Sequence, residues 1–279
     1  MSPPLSFDRA TGRDRYFSAL AEEVAALVDP ATGKLSERFS RVIDCPLCGS
    51  SKYAPVFEKA GYTFVRCRSC TFVFANPQVD EASVLERYHG MRSAELWAEV
   101  LLSERQQELD RGKFAAILDE LEPYRGGGRL LDVGCSIGLF LDLARDRGWN
   151  GTGIEFGELA LRHARDVLGL DVRDVPLEDA GFEDASFDVV SVLSVLEHTT
   201  DPRSLVREIA RVLRPGGTVY AITPNVESLA CRILHERSAT FDGRNHLVYF
   251  SPRTLGDLFR REGFEVVETS TKARQTADG

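Results

Sequence analysis

From residue 129 onward, short apolar runs alternate with segments whose apolar positions recur every three or four residues. Leu130-Leu131-Asp132-Val133 predicts a strand over 129–135, and the next segment sets Ile137, Phe140, Leu141 and Ala144 on one helical face. Further strands are expected at 151–156, 170–173, 187–193, 218–223 and 264–268. Helices are expected at 158–168, from Asp201-Pro202 onward and at 254–262. Proline at a first turn suits the Asp201-Pro202 start, Leu205, Ile209, Val212 and Leu213 face inward there, and Arg214-Pro215-Gly216-Gly217 stops that helix. Strand and helix in alternation mean a parallel sheet covered on both faces, so the fold class is α/β. Ligands of such a sheet bind beyond the carboxyl ends of its strands.

Upstream the pattern changes. Residues 14–28 carry Phe17, Leu20, Ala21, Val24, Leu27 and Val28 on one face, and Asp29-Pro30-Ala31-Thr32-Gly33 ends that helix. Residues 1–41 are thus a helical arm, read as a docking element. Residues 42–78 hold β-like runs at 54–57, 62–65 and 71–74, closed by Asn76-Pro77. Residues 79–128 are helical, with a stripe of Phe114, Ile117, Leu118 and Leu121, and serve as linker and lid. Pro123 and Gly126-Gly127-Gly128 mark the boundary to the core, 129–279.

The first core strand runs into Gly134-Cys135-Ser136-Ile137-Gly138, and Glu155 ends the next strand, 21 residues after Gly134. Glycines let the backbone approach a ligand closely, and an acid at that distance accepts hydrogen bonds from ribose hydroxyls. A dinucleotide site wants G-x-G-x-x-G for its pyrophosphate. Here Asp132 precedes the turn. It repels a pyrophosphate and suits a nucleoside carrying an amino group.

Cys45-Pro46-Leu47-Cys48 and Cys67-Arg68-Ser69-Cys70 are separated by 18 residues. Two such pairs make a tetrahedral zinc site of Cys45, Cys48, Cys67 and Cys70, closed to water and hence structural. A unit this small lacks a core of its own without the metal. The alternative is two redox pairs or unmetallated thiols. Lys52, Lys59, Arg66 and Arg68 outnumber Glu58 here, which is read as a solvated basic face. Cys135 and Cys231 stand apart, and Cys231 is read as core.

With 279 residues, about two domains are expected, and 43% apolar with 28% charged residues fits a globular chain. The net charge of −9 counts against nucleic acid as partner. No apolar run reaches the length of a membrane span, and the N-terminus has no signal-peptide pattern, so a cytoplasmic location is expected. Nothing in the pattern indicates an oligomeric state.

The C-terminal half resembles a class I S-adenosylmethionine-dependent methyltransferase. The resemblance rests on 131–138, Gly153-Ile154-Glu155, Ser186-Phe187-Asp188-Val189-Val190, 195–202, Arg211-Val212-Leu213-Arg214-Pro215-Gly216-Gly217, and His246-Leu247 with Phe250-Ser251-Pro252. The cysteine unit and connecting helices resemble, more loosely, a subgroup with an N-terminal zinc ribbon that includes sugar and natural-product methyltransferases. The resemblance implies a Rossmann-like class I core, S-adenosylmethionine as cofactor and a structural zinc. Gly134, Cys135 and Gly138 would line the methionine moiety, Asp132 would orient its amino group, and Glu155 would take both ribose hydroxyls. Leu177 and Glu178 would sit by adenine, and Leu193 and Ser194 near the sulfonium. Tyr88, in the lid, would touch cofactor or acceptor. Ser136 stands where such turns usually carry glycine, and a serine fits there if its φ is negative. The polar end, 271–279, does not suit the closing antiparallel strand of this fold, which implies a trimmed chain or a covered edge.

A hydroxyl or carbon acid acceptor needs a base. His198, just past the fourth strand, is the first candidate, with an orienting role as the alternative. His246 is the second, with a structural loop role as its alternative. The expected function is methyl transfer to a small-molecule acceptor, a sugar nucleotide or natural-product intermediate, at oxygen or carbon. The alternatives are an RNA base methyltransferase with a zinc recognition module and a non-catalytic protein that binds cofactor and a partner.

Overall fold

The computed structural model describes residues 7–88 and 91–271, without the side chains of 7 and 85–88. Tyr88 therefore lies outside the described side chains. In chain order, helix α1 (Arg13–Ala26) leads to the strands β1 (Tyr53–Lys59), β2 (Tyr62–Cys67) and β3 (Val73–Ala75). Helices α2 (Glu81–Tyr88), α3 (Arg92–Leu102) and α4 (Glu104–Leu121) follow. The α/β core then runs β4 (Arg129–Val133), α5 (Leu139–Asp146), β5 (Asn150–Ile154), α6 (Glu158–Arg162), β6 (Asp171–Arg173), β7 (Phe187–Leu193), α7 (Pro202–Val212) and β8 (Leu213–Ile222). Helix α8 (Leu229–Leu234), β9 (Val248–Tyr249) and α9 (Pro252–Arg261) complete it.

The core sheet has the order β6-β5-β4-β7-β8, and every neighbouring pair is parallel. Its central strands are apolar on both faces because helices cover both: Leu130, Leu131, Val189, Val190 and Val192 are completely buried. Strand order reverses between β4 and β7, which opens the crevice for a ligand at their carboxyl ends. Asp201 caps α7 by accepting from Ser204 N at 3.0 Å, and Pro202 occupies its first turn. Ser251 and Thr254 form a capping box for α9.

Most bounds shift by a residue or two, and three elements differ more from expectation. The helix expected over 158–168 is α-helical only to Arg162 and widens into a π-turn over His163–Val167. Strand β8 begins at Leu213, so Arg214-Pro215-Gly216-Gly217 lies inside it, absorbed by a register shift opposite Phe187 and Val189. The strand expected at 264–268 is not formed. Phe264 and Val266 do pack on the core while Glu265 and Val267 face solvent. Alternation thus records which face is covered, but among the described residues no backbone edge pairs with this segment. The core sheet has five strands among the described residues, and no helix there is long and apolar enough to cross a membrane.

Strands β1, β2 and β3 form an antiparallel sheet whose fourth member is β9, contributed by the C-terminal half. The cysteine unit and the core are therefore joined through one ladder.

Candidate active site

The turn after β4 is held to the end of β5 by two main-chain bonds, Gly134 N and Cys135 N both donating to Ile154 O at 2.9 Å. Gly134 has φ +75°, and a Cβ there would lie 2.5 Å from Val195 Cγ2. A side chain would collide with the strand-end segment next door, so the turn needs glycine at that point. The Cys135 side chain points away from the crevice: it is buried, and its sulfur fills the space above Gly153. Ile137 packs with Leu139, Ala98 of α3 and Ala160 of α6, so α3 lies over the turn.

Ser136 departs from expectation. Its φ is +51°, in the left-handed region, not negative. The turn imposes this conformation because the Ser136 N–H donates to Glu155 Oε2 at 2.9 Å. The other Glu155 oxygen, Oε1, accepts from Phe156 N at 2.9 Å and Gly157 N at 2.6 Å. These amides fix the carboxylate at the tip of β5, in line with the turn.

Asp132 lies beneath the turn with 2% of its surface exposed and accepts from Ser191 Oγ at 2.7 Å. Burial pushes its carboxyl up to about 7, opposed by the Ser191 hydroxyl and reinforced by the Glu155 charge. A cation brought to this end of the crevice would draw it back down. Leu193 ends β7, and Ser194 follows at the surface with φ +61°, its N–H bonded to Ile222 O at 2.8 Å. Two serines with left-handed backbones thus flank the crevice. Leu177 begins a 3-10 turn after β6 and its side chain is buried, whereas Glu178 is exposed.

His198 and His246, far apart in sequence, meet with ring centroids 4.9 Å apart. One ligating atom each of Glu197, His198 and His246 lie within 4.8 Å of one another. His198 Nδ1 is 2.7 Å from Asn245 O, and His246 Nδ1 is 2.8 Å from Thr240 O. A carbonyl can only accept, so each Nδ1 carries the proton. The lone pair of each neutral ring is then at Nε2. Main-chain carbonyls thus orient both rings.

Several residues of this region are not legible in the sequence. Asp242 Oδ1 accepts from the N–H groups of Arg244 (2.9 Å), Asn245 (2.5 Å) and His246 (3.2 Å) and so shapes the loop. Asp-Gly is a turn signal, the only trace of this role in the chain. Tyr249 Oη donates to His246 O. The N-terminal arm also reaches here: Arg244 Nη1 donates to Glu23 O at 3.1 Å, and Asn245 Nδ2 reaches Tyr16 Oη at 3.5 Å. Both contacts come from α1, the helix of the arm.

Cys45, Cys48, Cys67 and Cys70 converge, none in a disulfide, with sulfurs 3.5 Å (Cys45–Cys70) and 3.6 Å (Cys48–Cys67) apart. A tetrahedral zinc with Zn–S bonds near 2.3 Å puts its sulfurs about 3.8 Å apart, so the cluster fits such an ion. Burial pushes the Cys70 thiol up to about 12 and Cys45 well above its ordinary range. Against the same effect of burial, the amides of Cys70 and Ser69 bring Cys67 down to about 7. Were all four ionised, sulfurs this close would need a cation among them.

A family model described as a methyltransferase domain matches residues 103–269. The ubiquinone biosynthesis O-methyltransferase of Pseudomonas aeruginosa (strain UCBPP-PA14) is 38% identical over 105 residues, covering 36% of this chain and 45% of that protein. Its counterpart in Stutzerimonas stutzeri (strain A1501) is 37% identical over 124 residues, covering 39% and 53%. The chain spans about half the length of these curated relatives. Among solved structures, a Haloferax volcanii complex of the Trm112 methyltransferase activator with a methyltransferase is similar in fold, with 24% identity and a TM-score of 0.50. That match covers 63% of this chain and 77% of the other.

Proposed function

We propose, from the premise that this chain belongs to the methyltransferase domain family, that it transfers a methyl group from S-adenosylmethionine to an oxygen of a small-molecule acceptor. The observation that carries the donor half is the crevice at the ends of β4 and β5. A glycine turn, the buried Asp132 and a fixed Glu155 carboxylate are gathered there. In this reading the backbone of Gly134, Cys135 and Gly138 lines the methionine moiety, Asp132 orients its amino group and Glu155 takes the ribose hydroxyls. The bound sulfonium supplies an electrophilic methyl. The chain's own task is to align the acceptor, exclude water and remove a proton.

For the acceptor half, relatives named O-methyltransferases favour oxygen over carbon. His198, its ring oriented by the Nδ1 contact to Asn245 O, is the base that takes the hydroxyl proton in this reading. His246 stands beside it as the second basic ring. The four cysteines hold a structural zinc, and the helices α2 to α4 close over the cofactor.

The test is His198→Ala. Turnover should fall by about 10²–10⁴-fold, the range for loss of a general base, with S-adenosylmethionine affinity unchanged. Unchanged turnover removes His198 as base. A screen with labelled methyl donor across sugar nucleotides, phenolic metabolites and RNA identifies the acceptor. Label appearing only in RNA would overturn the small-molecule reading.

A further inference from the structure

We infer that the four-cysteine module is the positioning element for His198 and His246, and that it acts on them through the 238–250 loop. The inference rests on the reading of the cysteines as a zinc site and of the two histidines as the acceptor side.

Along that loop, anchor after anchor comes from the module. Lys59 Nζ of β1 donates to Ser238 O at 2.8 Å. Phe241 packs against Phe57 at 4.9 Å and Phe64 at 5.6 Å between centroids. Gly243 rests directly on the Tyr62 ring, where a Cβ would come within 2.5 Å of Cδ1. Ala75 N donates to Leu247 O at 3.0 Å, while Leu247 N donates to Glu197 O at 2.8 Å. One residue therefore ties β3 to the segment that carries His198. Val248 and Tyr249 pair with Phe74 and Val73, and Phe250 packs on Phe72 at 5.0 Å.

The carbonyls that hold both rings, Thr240 O and Asn245 O, lie inside this anchored stretch. The cysteines frame its support: Cys67 ends β2, and Phe72 follows Cys70 by two residues with its carbonyl bonded to Cys67 N at 2.8 Å. The unit packs into the main core, and a metal on the four cysteines would in addition clamp the end of β2 to the turn that leads into β3. Losing the metal frees β2 and β3, then the loop, then the two Nδ1–H bonds. The cofactor turn hangs instead on Ile154 and Glu155.

The test uses the full chain with its metal content measured, and histidine-ring NMR as readout. His163 is the internal control, since its Nδ1 lies 2.9 Å from Ile137 O beside the cofactor turn. On chelation, His198 and His246 should lose their single tautomer while His163 keeps its own. Amide exchange over 238–250 should rise about tenfold or more, and S-adenosylmethionine affinity should stay within about twofold. Tyr62→Leu, with metal retained, should move the same two histidines in the same direction. Rings of His198 and His246 unmoved in either arm would overturn the inference. So would loss of all three signals together, which makes the module a global support. A purified chain without metal refutes the zinc reading alone, and Tyr62→Leu then decides the positioning.

Discussion

At Ser136 the chain places a Cβ where φ is +51°. Left-handed backbone costs an L-residue roughly 1–2 kcal/mol, part of which glycine returns through its freer unfolded chain. Ser136→Gly should therefore stabilise the fold by about 0.5–1 kcal/mol, read as a rise in the chemical denaturation midpoint. A lower midpoint would mean that the serine hydroxyl is worth more than the strain. Asp132 makes a pH-dependent prediction. Its carboxyl is raised to about 7 in the folded protein, chiefly by burial, against about 4 in an unfolded chain. Below pH 4 both states are protonated. Between 4 and 7 the unfolded chain ionises first, so stability is lost as pH rises through that window. Asp132→Asn should flatten this decline in urea midpoints measured from pH 4 to 8, and an unchanged slope would contradict the burial argument.

Among the elements, β7 is tied to its neighbours at the end opposite the site. Asp188, 3% exposed, accepts from Arg214 Nε at 2.6 Å and Arg129 Nε at 3.1 Å. Burial alone would raise its pKa, but these partners hold it below the usual carboxylate range. The stability it contributes is present above about pH 4 and lost as pH falls through the lowered value. Asp188→Ala should cost about 2 kcal/mol, less than the loss of a fully buried pair because both arginines keep contact with water. Cofactor affinity should not change, and a matched loss of binding would show the two ends of β7 to be coupled. Periodicity made most core elements legible, since sheet and helix faces are set by burial in three dimensions and written along the chain. It failed at 264–268, where alternation is present and a pairing edge is not. It failed also at Arg214-Pro215-Gly216-Gly217, where turn residues sit inside a strand with a register shift.

On the scale of the molecule, the four cysteines and the glycine turn were legible because metal ligands and close backbone approach restrict residue type at fixed spacing. The acceptor side was not. Its rings are set by carbonyls, by the amide nest on Asp242 and by β9 pairing with β3, and main-chain partners leave no residue signature. The arm, read only as a docking helix, reaches the same loop through Tyr16 and Glu23. The central claim is that the β4 and β5 ends hold S-adenosylmethionine, and calorimetric titration tests it most directly. The protein should bind S-adenosylmethionine at one site, and Glu155→Ala should weaken that binding by about tenfold or more through loss of hydrogen bonds to a charged acceptor. No binding to the unaltered protein, or equal affinity in Glu155→Ala, would contradict the account.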